Sequence, residues 1–183
     1  MHKKMRNVIL NLTISLDGFI EDANGAYDWC FTDQDYGMSD FLQRTDTILF
    51  GRKSYDLVVQ QDEDYFPAHQ KIVFSRQSIN LEDGYQLMIA PGKDQVREIL
   101  ESPGKDIWLF GGSSMVKSMM EWGYINQLML AVHPILLGSG KRLFEEFPGR
   151  KTLKLLDTIT YDTGLVQLIY EMGDQQGEMS SPR

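Results

Sequence analysis

Three short segments of this chain carry residue types suited to holding phosphate, each at the end of an apolar run. Ile107-Trp108-Leu109-Phe110 leads into Gly111-Gly112-Ser113-Ser114-Met115-Val116, so a strand ends in two glycines and opens directly into a helical pattern. Adjacent glycines let the backbone pass close to a bulky ligand, and the first free N–H groups of a helix carry a partial positive charge that suits a phosphate. Gly51-Arg52-Lys53-Ser54 repeats the pattern after the run Thr47 to Phe50, and Ser75-Arg76 closes a third run. Together they supply two guanidinium groups, an ammonium, several hydroxyls and helix-terminal amides. That set can hold one pyrophosphate and one further phosphate monoester, which is what an NADP-type dinucleotide requires. Taken singly, a Gly-Gly pair is also an ordinary tight connection, and each Arg or Lys an ordinary solvated loop residue. Their recurrence at strand ends carries the reading, because ligands of open α/β sheets bind beyond the carboxyl ends of the strands.

The elements that must position these segments alternate. Val8, Leu10, Leu12, Ile14 and Leu16 share one face of a period-two run. Asn11, Thr13 and Ser15 share the other, which marks that face as a candidate cleft wall. A Gly-, Asp- and Asn-containing stretch from Asp17 to Asp28 follows, then a short helix around Phe41 and Leu42 that ends near Arg44. Further strands are expected at Thr47 to Phe50, Lys71 to Ser75, Tyr85 to Ala90 and Gln127 to Leu137. Helical stripes fall at Tyr55, Val58 and Val59, at Val96, Ile99 and Leu100, and from Ser113 through Trp122. Thr152 to Tyr161 and Leu165 to Met172 flank Asp162-Thr163-Gly164 and read as an antiparallel hairpin. The expected fold is α/β: a mostly parallel, mixed sheet with helices on both faces and a C-terminal antiparallel hairpin.

At 183 residues, 42% hydrophobic, and without a linker-like tract, the chain is expected to form a single domain over residues 1–173, with residues 174–183 as a disordered tail. A net charge of -8 and a pI near 4.8 argue against nucleic-acid or anionic-membrane partners. No signal peptide or membrane span is legible, so a cytoplasmic location is expected. Cys30 is the single cysteine and has no histidine near it in sequence. No His-and-carboxylate spacing suggests a metal. The charges Asp62-Glu63-Asp64, Glu82 and Asp83 read as solvated loops, and His133 before Pro134 as a structural imidazole rather than a general acid.

The chain resembles the dihydrofolate reductase-like fold family, and within it the reductase domain of bacterial bifunctional riboflavin biosynthesis proteins. The resemblance runs from Asn7 to about Met172. Its markers are Ser15 to Ile20, Arg44 to Tyr55, Val73-Phe74-Ser75-Arg76, Phe110-Gly111-Gly112, and Val132 to Phe144. It implies a three-layer fold and a reductase that uses NADPH on a pyrimidine, pteridine or related small molecule. It also implies a homodimer; no deaminase domain is expected ahead of it, since the chain begins at the first reductase strand. Arg52, Lys53, Ser54, Ser75 and Arg76 then correspond to the grip on the adenosine phosphate. Gly111, Gly112, Ser113, Ser114 and Met115 correspond to the pyrophosphate turn, although Met115, Met119 and Met120 also suit a core. Ser15 and Asp17 are candidates for the border between nicotinamide and substrate, with Asp17 as catalytic candidate or, equally, a turn residue before Gly18. Trp29 is a candidate cover for the nicotinamide. Asp46 is a candidate substrate ligand or a cap on the start of its strand.

Two departures stand out. The carboxylate that dihydrofolate reductase carries on its first helix maps between Asp35, Gly37 and Asp40, and the Glu that usually precedes the Gly-Gly pair in the riboflavin reductase pattern is Phe110 here. A nucleotide-binding protein without turnover and a true dihydrofolate reductase are the alternative readings.

Overall fold

The computed structural model describes residues 4–61, 64–144 and 150–173. Asp62, Glu63 and the segment 174–183 lie outside the described residues.

Among the described residues, ten strands and four helices follow one another in the order β1 (Val8–Ser15), β2 (Phe19–Glu21), α1 (Met38–Arg44), β3 (Thr45–Gly51), α2 (Arg52–Val58), β4 (Gln70–Ser75), β5 (Tyr85–Ile89), α3 (Lys93–Leu100), β6 (Asp106–Gly111), α4 (Ser113–Glu121), β7 (Gln127–His133), β8 (Lys141–Arg142), β9 (Leu153–Thr160) and β10 (Val166–Met172). Eight strands form one sheet in the order β5-β4-β3-β6-β1-β7-β10-β9. Pairings from β5 to β7 are all parallel, and β10 runs antiparallel to both β7 and β9.

The central strands are apolar on both sides, as a sheet covered on both faces requires. On one face Ile9, Ile48, Phe50, Val73 and Trp108 pack with Phe41 of α1 and Tyr55 of α2. On the other, Val8, Leu10, Leu49, Ile107 and Leu109 pack with Val96 and Leu100 of α3 and Met115, Val116, Met119 and Met120 of α4. The helices thus form the outer two of three layers.

Two sequence expectations change. The strand expected from Gln127 to Leu137 ends at His133, because Pro134 has no N–H for the ladder, and Ile135 N–H turns back onto the His133 carbonyl at 2.8 Å. The short antiparallel pair of β2 with β8 was not legible, since neither strand is long enough to show a period. Asp64, expected as solvated charge, is exposed as expected but also pairs with Lys71, a β4 lysine that is buried and lies over the Tyr85 ring.

Backbone meets backbone closely where β3 and β6 end side by side. A Cβ on Gly51 would stand 2.9 Å from both the Gly111 carbonyl oxygen and the Gly112 Cα. A Cβ on Gly112, where φ is +108°, would stand 2.8 Å from the Gly51 Cα. Backbone cannot retreat as a side-chain end can, so both positions exclude any side chain. Gly51 has an ordinary φ of -73°, so its substitution tests the steric term alone. Gly51→Ala should lower unfolding stability by about 1–3 kcal/mol, the usual range for overpacking, measured by urea denaturation.

Candidate active site

A cleft of about 1500 Å³ opens at the carboxyl ends of the parallel strands. It arises because β1 and β6 part company. Their ladder covers only Val8–Leu10 against Ile107–Leu109, while β1 stays paired with β7 through Ser15. The Trp108 indole N–H donates to the Asn11 carbonyl at 3.0 Å, satisfying one acceptor that the parting strands leave.

One wall gathers the three glycine- and base-bearing segments. Gly51 to Ser54, Ser75 and Arg76, and Gly111 to Met115 all line the cleft. The Arg52 guanidinium is exposed and held by Asp56 one turn on, at 2.8 Å. Ser75 is buried, and its hydroxyl accepts from the Gln77 amide at 3.2 Å. The α4 N-terminus has no acidic residue in its first turn and no side-chain cap, and its first internal bond runs from Val116 N–H to the Gly112 carbonyl. The amides before Val116 are therefore the ones a helix cannot satisfy internally. Met115 has both characters expected of it, lining the cleft yet buried in the core between α4 and the sheet.

Four candidates fall elsewhere. Ser15 is fully buried outside the cleft; its hydroxyl donates to Asp17 at 2.7 Å and accepts the Phe19 amide at 2.9 Å. Asp17 also accepts the Leu137 and Gly138 amides at 3.2 and 2.8 Å, so it ties the β1 turn to the segment after β7. The Ser15 hydroxyl and these amides hold its carboxyl below the usual carboxylate range. Of its two readings, the geometry gives the turn residue, not the catalytic one. Asp46 stands at the N-terminal end of β3, the far end of the sheet, where it pairs with Arg6 and accepts from Thr47 Oγ1 and the Lys105 amide. Burial pushes its carboxyl up, but those donors outweigh burial and leave it lowered. Trp29 is not among the residues that line the cleft; it lies edge-on to His133 at 5.5 Å, with its buried indole N–H unpartnered among the described residues.

Asp35 and Gly37, from the first-helix set, do line the cleft. Asp35 braces the start of α1 by accepting from the Ser39 amide at 3.0 Å and the Ser39 hydroxyl at 2.7 Å. Cys30 also lines it, its thiol pushed up to about 11 by burial and by Asp28, so it is a thiol and not a thiolate at neutral pH. Among the described residues, no group of three or more His, Cys, Asp or Glu side chains could hold a metal ion. No described helix is long and apolar enough to cross a membrane.

His133, 2% exposed, borders the cleft, and both of its ring nitrogens face backbone groups. Its Nε2 accepts the Phe31 amide at 2.9 Å, which requires the neutral ring with the proton on Nδ1, where the Ala131 carbonyl lies at 3.2 Å. It fastens the aromatic loop around Phe31, which forms the wall opposite the phosphate side, to β7. Burial drives its pKa below the ordinary 6.5. The unfolded chain then binds the proton first, so stability is complete above about 6.5 and is lost as pH falls toward the lowered folded value. Protection of the Phe31 amide against hydrogen exchange, corrected for intrinsic rate, should fall over that window. In His133→Asn that pH dependence should vanish.

The RibD C-terminal domain family matches residues 6–167 of the chain. YyaP of Bacillus subtilis (strain 168) is 38% identical over 179 residues, covering 91% of this chain and 95% of that one. The putative riboflavin biosynthesis protein from Shewanella sp. PV-4 superposes with a TM-score of 0.82 at 22% identity, covering 92% of this chain and 99% of that one. Dihydrofolate reductase from Enterococcus faecalis, solved with NADP(H) and RAB-propyl, superposes with a TM-score of 0.68 at 13% identity, covering 92% and 97%. The fold is the dihydrofolate reductase-like one that the motifs implied.

Proposed function

The chain belongs to the RibD C-terminal domain family, a reductase-type family, and on that premise we propose that it is an NADPH-dependent reductase of a pyrimidine, pteridine or related small heterocycle, of the 5-amino-6-(5-phosphoribosylamino)uracil reductase type. The observation that carries this reading is the meeting of Arg52, Lys53, Ser75, Arg76 and the Gly111-Gly112 turn on one wall of one cleft. The α4 amides and the glycine turn suit a pyrophosphate, because backbone there is free of Cβ atoms. Arg52, Lys53 and Arg76 suit the extra phosphate that separates NADPH from NADH. At about 1500 Å³ the cleft exceeds the roughly 300–1,000 Å³ of a site for one drug-sized ligand, leaving room for an acceptor beside a dinucleotide.

Bound NADPH supplies the hydride. The protein's part is to bind, orient and exclude water. Phe110 stands at the end of β6 where the riboflavin reductase pattern usually carries Glu, and its ring packs at a tilt against Phe50 and Trp108, at 4.9 and 4.8 Å between ring centres, giving the cleft an apolar floor. A second reading, nucleotide binding without turnover, is favoured by the Asp17 carboxylate being engaged outside the cleft. Consumption of NADPH across pterins, pyrimidines and simple carbonyls separates the two.

The described residues read as one reductase domain, and we assign it a homodimer. β9 is one edge of the sheet and exposes Leu155, Leu156 and Ile159, an arrangement that single copies usually blunt. Leu155→Glu should shift the particle to monomer by light scattering; a wild-type monomer would remove the assignment. For the cofactor, Arg52→Ala should weaken NADPH binding by about 1.5 kcal/mol, the lower range for hydrogen bonds to a charged group because this side chain is half exposed. NADH affinity should hardly move. Calorimetric titration of both cofactors checks this, and equal losses would take Arg52 out of the phosphate site.

A further inference from the structure

One face of the central strands changes character where the cleft begins. Ile9 of β1 and Met129 of β7 are buried in the apolar layer on that face, with Ile169 of β10 packed against it. Toward the carboxyl ends of β1 and β7 the same face becomes Asn11 and Thr13 of β1, Ala131 of β7 and Gln167 of β10, all lining the cleft. Thr13, Ala131 and Gln167 are in direct register across the three strands.

Asn11 and Gln167 are each only 7% exposed, yet neither side-chain amide has a hydrogen-bond partner among the described residues. Neither is sealed away, since both open on the cleft. Their polar atoms are not among the buried unsatisfied ones, so in the cleft it is water or a ligand that completes their hydrogen bonds. Each carboxamide offers both donors and an acceptor. Their positions differ by two strands and by two residues along them, which puts the Cα atoms roughly 12 Å apart. Between them lie a small alanine and a threonine, a shelf without bulk.

From this we infer that Asn11 and Gln167 read the acceptor from opposite sides, and that the acceptor lies over Ala131 as a flat neutral ring with amide N–H and C=O groups on both edges. Charge is not what this part of the cleft recognises: the two groups are neutral at every pH the fold survives. The Trp108 indole bond to the Asn11 carbonyl fixes the backbone from which one of them projects. The inference rests on the reductase reading of the same cleft, but it concerns the acceptor half alone.

The test uses 5,6-diaminouracil as probe and its 1,3-dimethyl derivative, which lacks both ring N–H groups, titrated calorimetrically with and without NADPH. Wild-type protein should bind the diaminouracil, and the dimethyl compound at least tenfold more weakly. Asn11→Leu and Gln167→Met should each weaken the diaminouracil at least tenfold while NADPH affinity stays within twofold, a split that a merely structural role would not give. If the variants bind the probe as wild type does, or the dimethyl compound binds equally, or the diaminouracil does not bind, the inference is overturned. Should a variant fail to fold, the comparison of the two compounds on wild-type protein decides. Loss of NADPH binding with the probe pattern intact would instead remove the cofactor reading and leave this one standing.

Discussion

Two turns share one volume in this fold, and much of the cleft's geometry follows from that. β3 and β6 are neighbours, and the turns at their ends are pressed together until Gly51 and Gly112 have no room for a Cβ. From the first turn α2 departs onto one face of the sheet, and from the second α4 departs onto the other. Both helices therefore begin at the same spot on the sheet edge, although they belong to opposite layers. That common origin sets Arg52 and Lys53 beside the uncapped amides of α4. A bulkier residue at either glycine would push the turns apart and separate groups that are useful only together.

The second requirement is an opening, and the sheet provides it by ending one ladder early. Beyond Leu10 and Leu109, β1 keeps β7 but loses β6, and the Trp108 indole stands in for one of the missing backbone partners. The far wall is a loop and not an element of the sheet, so it needs fastening. His133 does this through a neutral ring nitrogen, while Phe31 packs on that ring at 4.7 Å and Tyr36 meets Tyr161 at 4.9 Å. A fastening by hydrogen bond and aromatic edges holds a loop without burying it, which suits a wall that must admit ligands.

Much of this was legible in the sequence because the signals are local. Strand and helix periods locate most of the elements, and the glycine-base segments lie at strand ends because that is where chains turn. Even the polar face of β1 shows in the alternation of Asn11 and Thr13 with leucines. What misled was also local. Ser15 and Asp17 before Gly18 look the same whether the carboxylate faces a ligand or, as here, two amides more than a hundred residues away at Leu137 and Gly138. Asp46 sits in a segment that matches a ligand-binding pattern, but it belongs to the end of β3 remote from the cleft, and only the pairing with Arg6 shows what it does. Gln167 gave no signal at all, since one glutamine in a hairpin strand gains meaning only from the β7 residue beside it.

The two ends of the cleft solve different recognition problems, and the difference is one of dielectric. On the β3 and β4 side the basic groups are exposed, so Arg52 can remain charged and paired with Asp56 until a phosphate competes for it. On the β1, β7 and β10 side the groups are buried, and an unpaired charge there would cost far more than it could return. Neutral amides are the polar groups that such a place tolerates, and Phe110 at the end of β6 extends the same logic by leaving its floor apolar. The cofactor and acceptor proposed here would divide along that line, the anionic groups on the first side and the neutral, hydrogen-bonding ring on the second. The order of strands, with the β1–β6 parting between the two regions, is what lets one sheet edge present both.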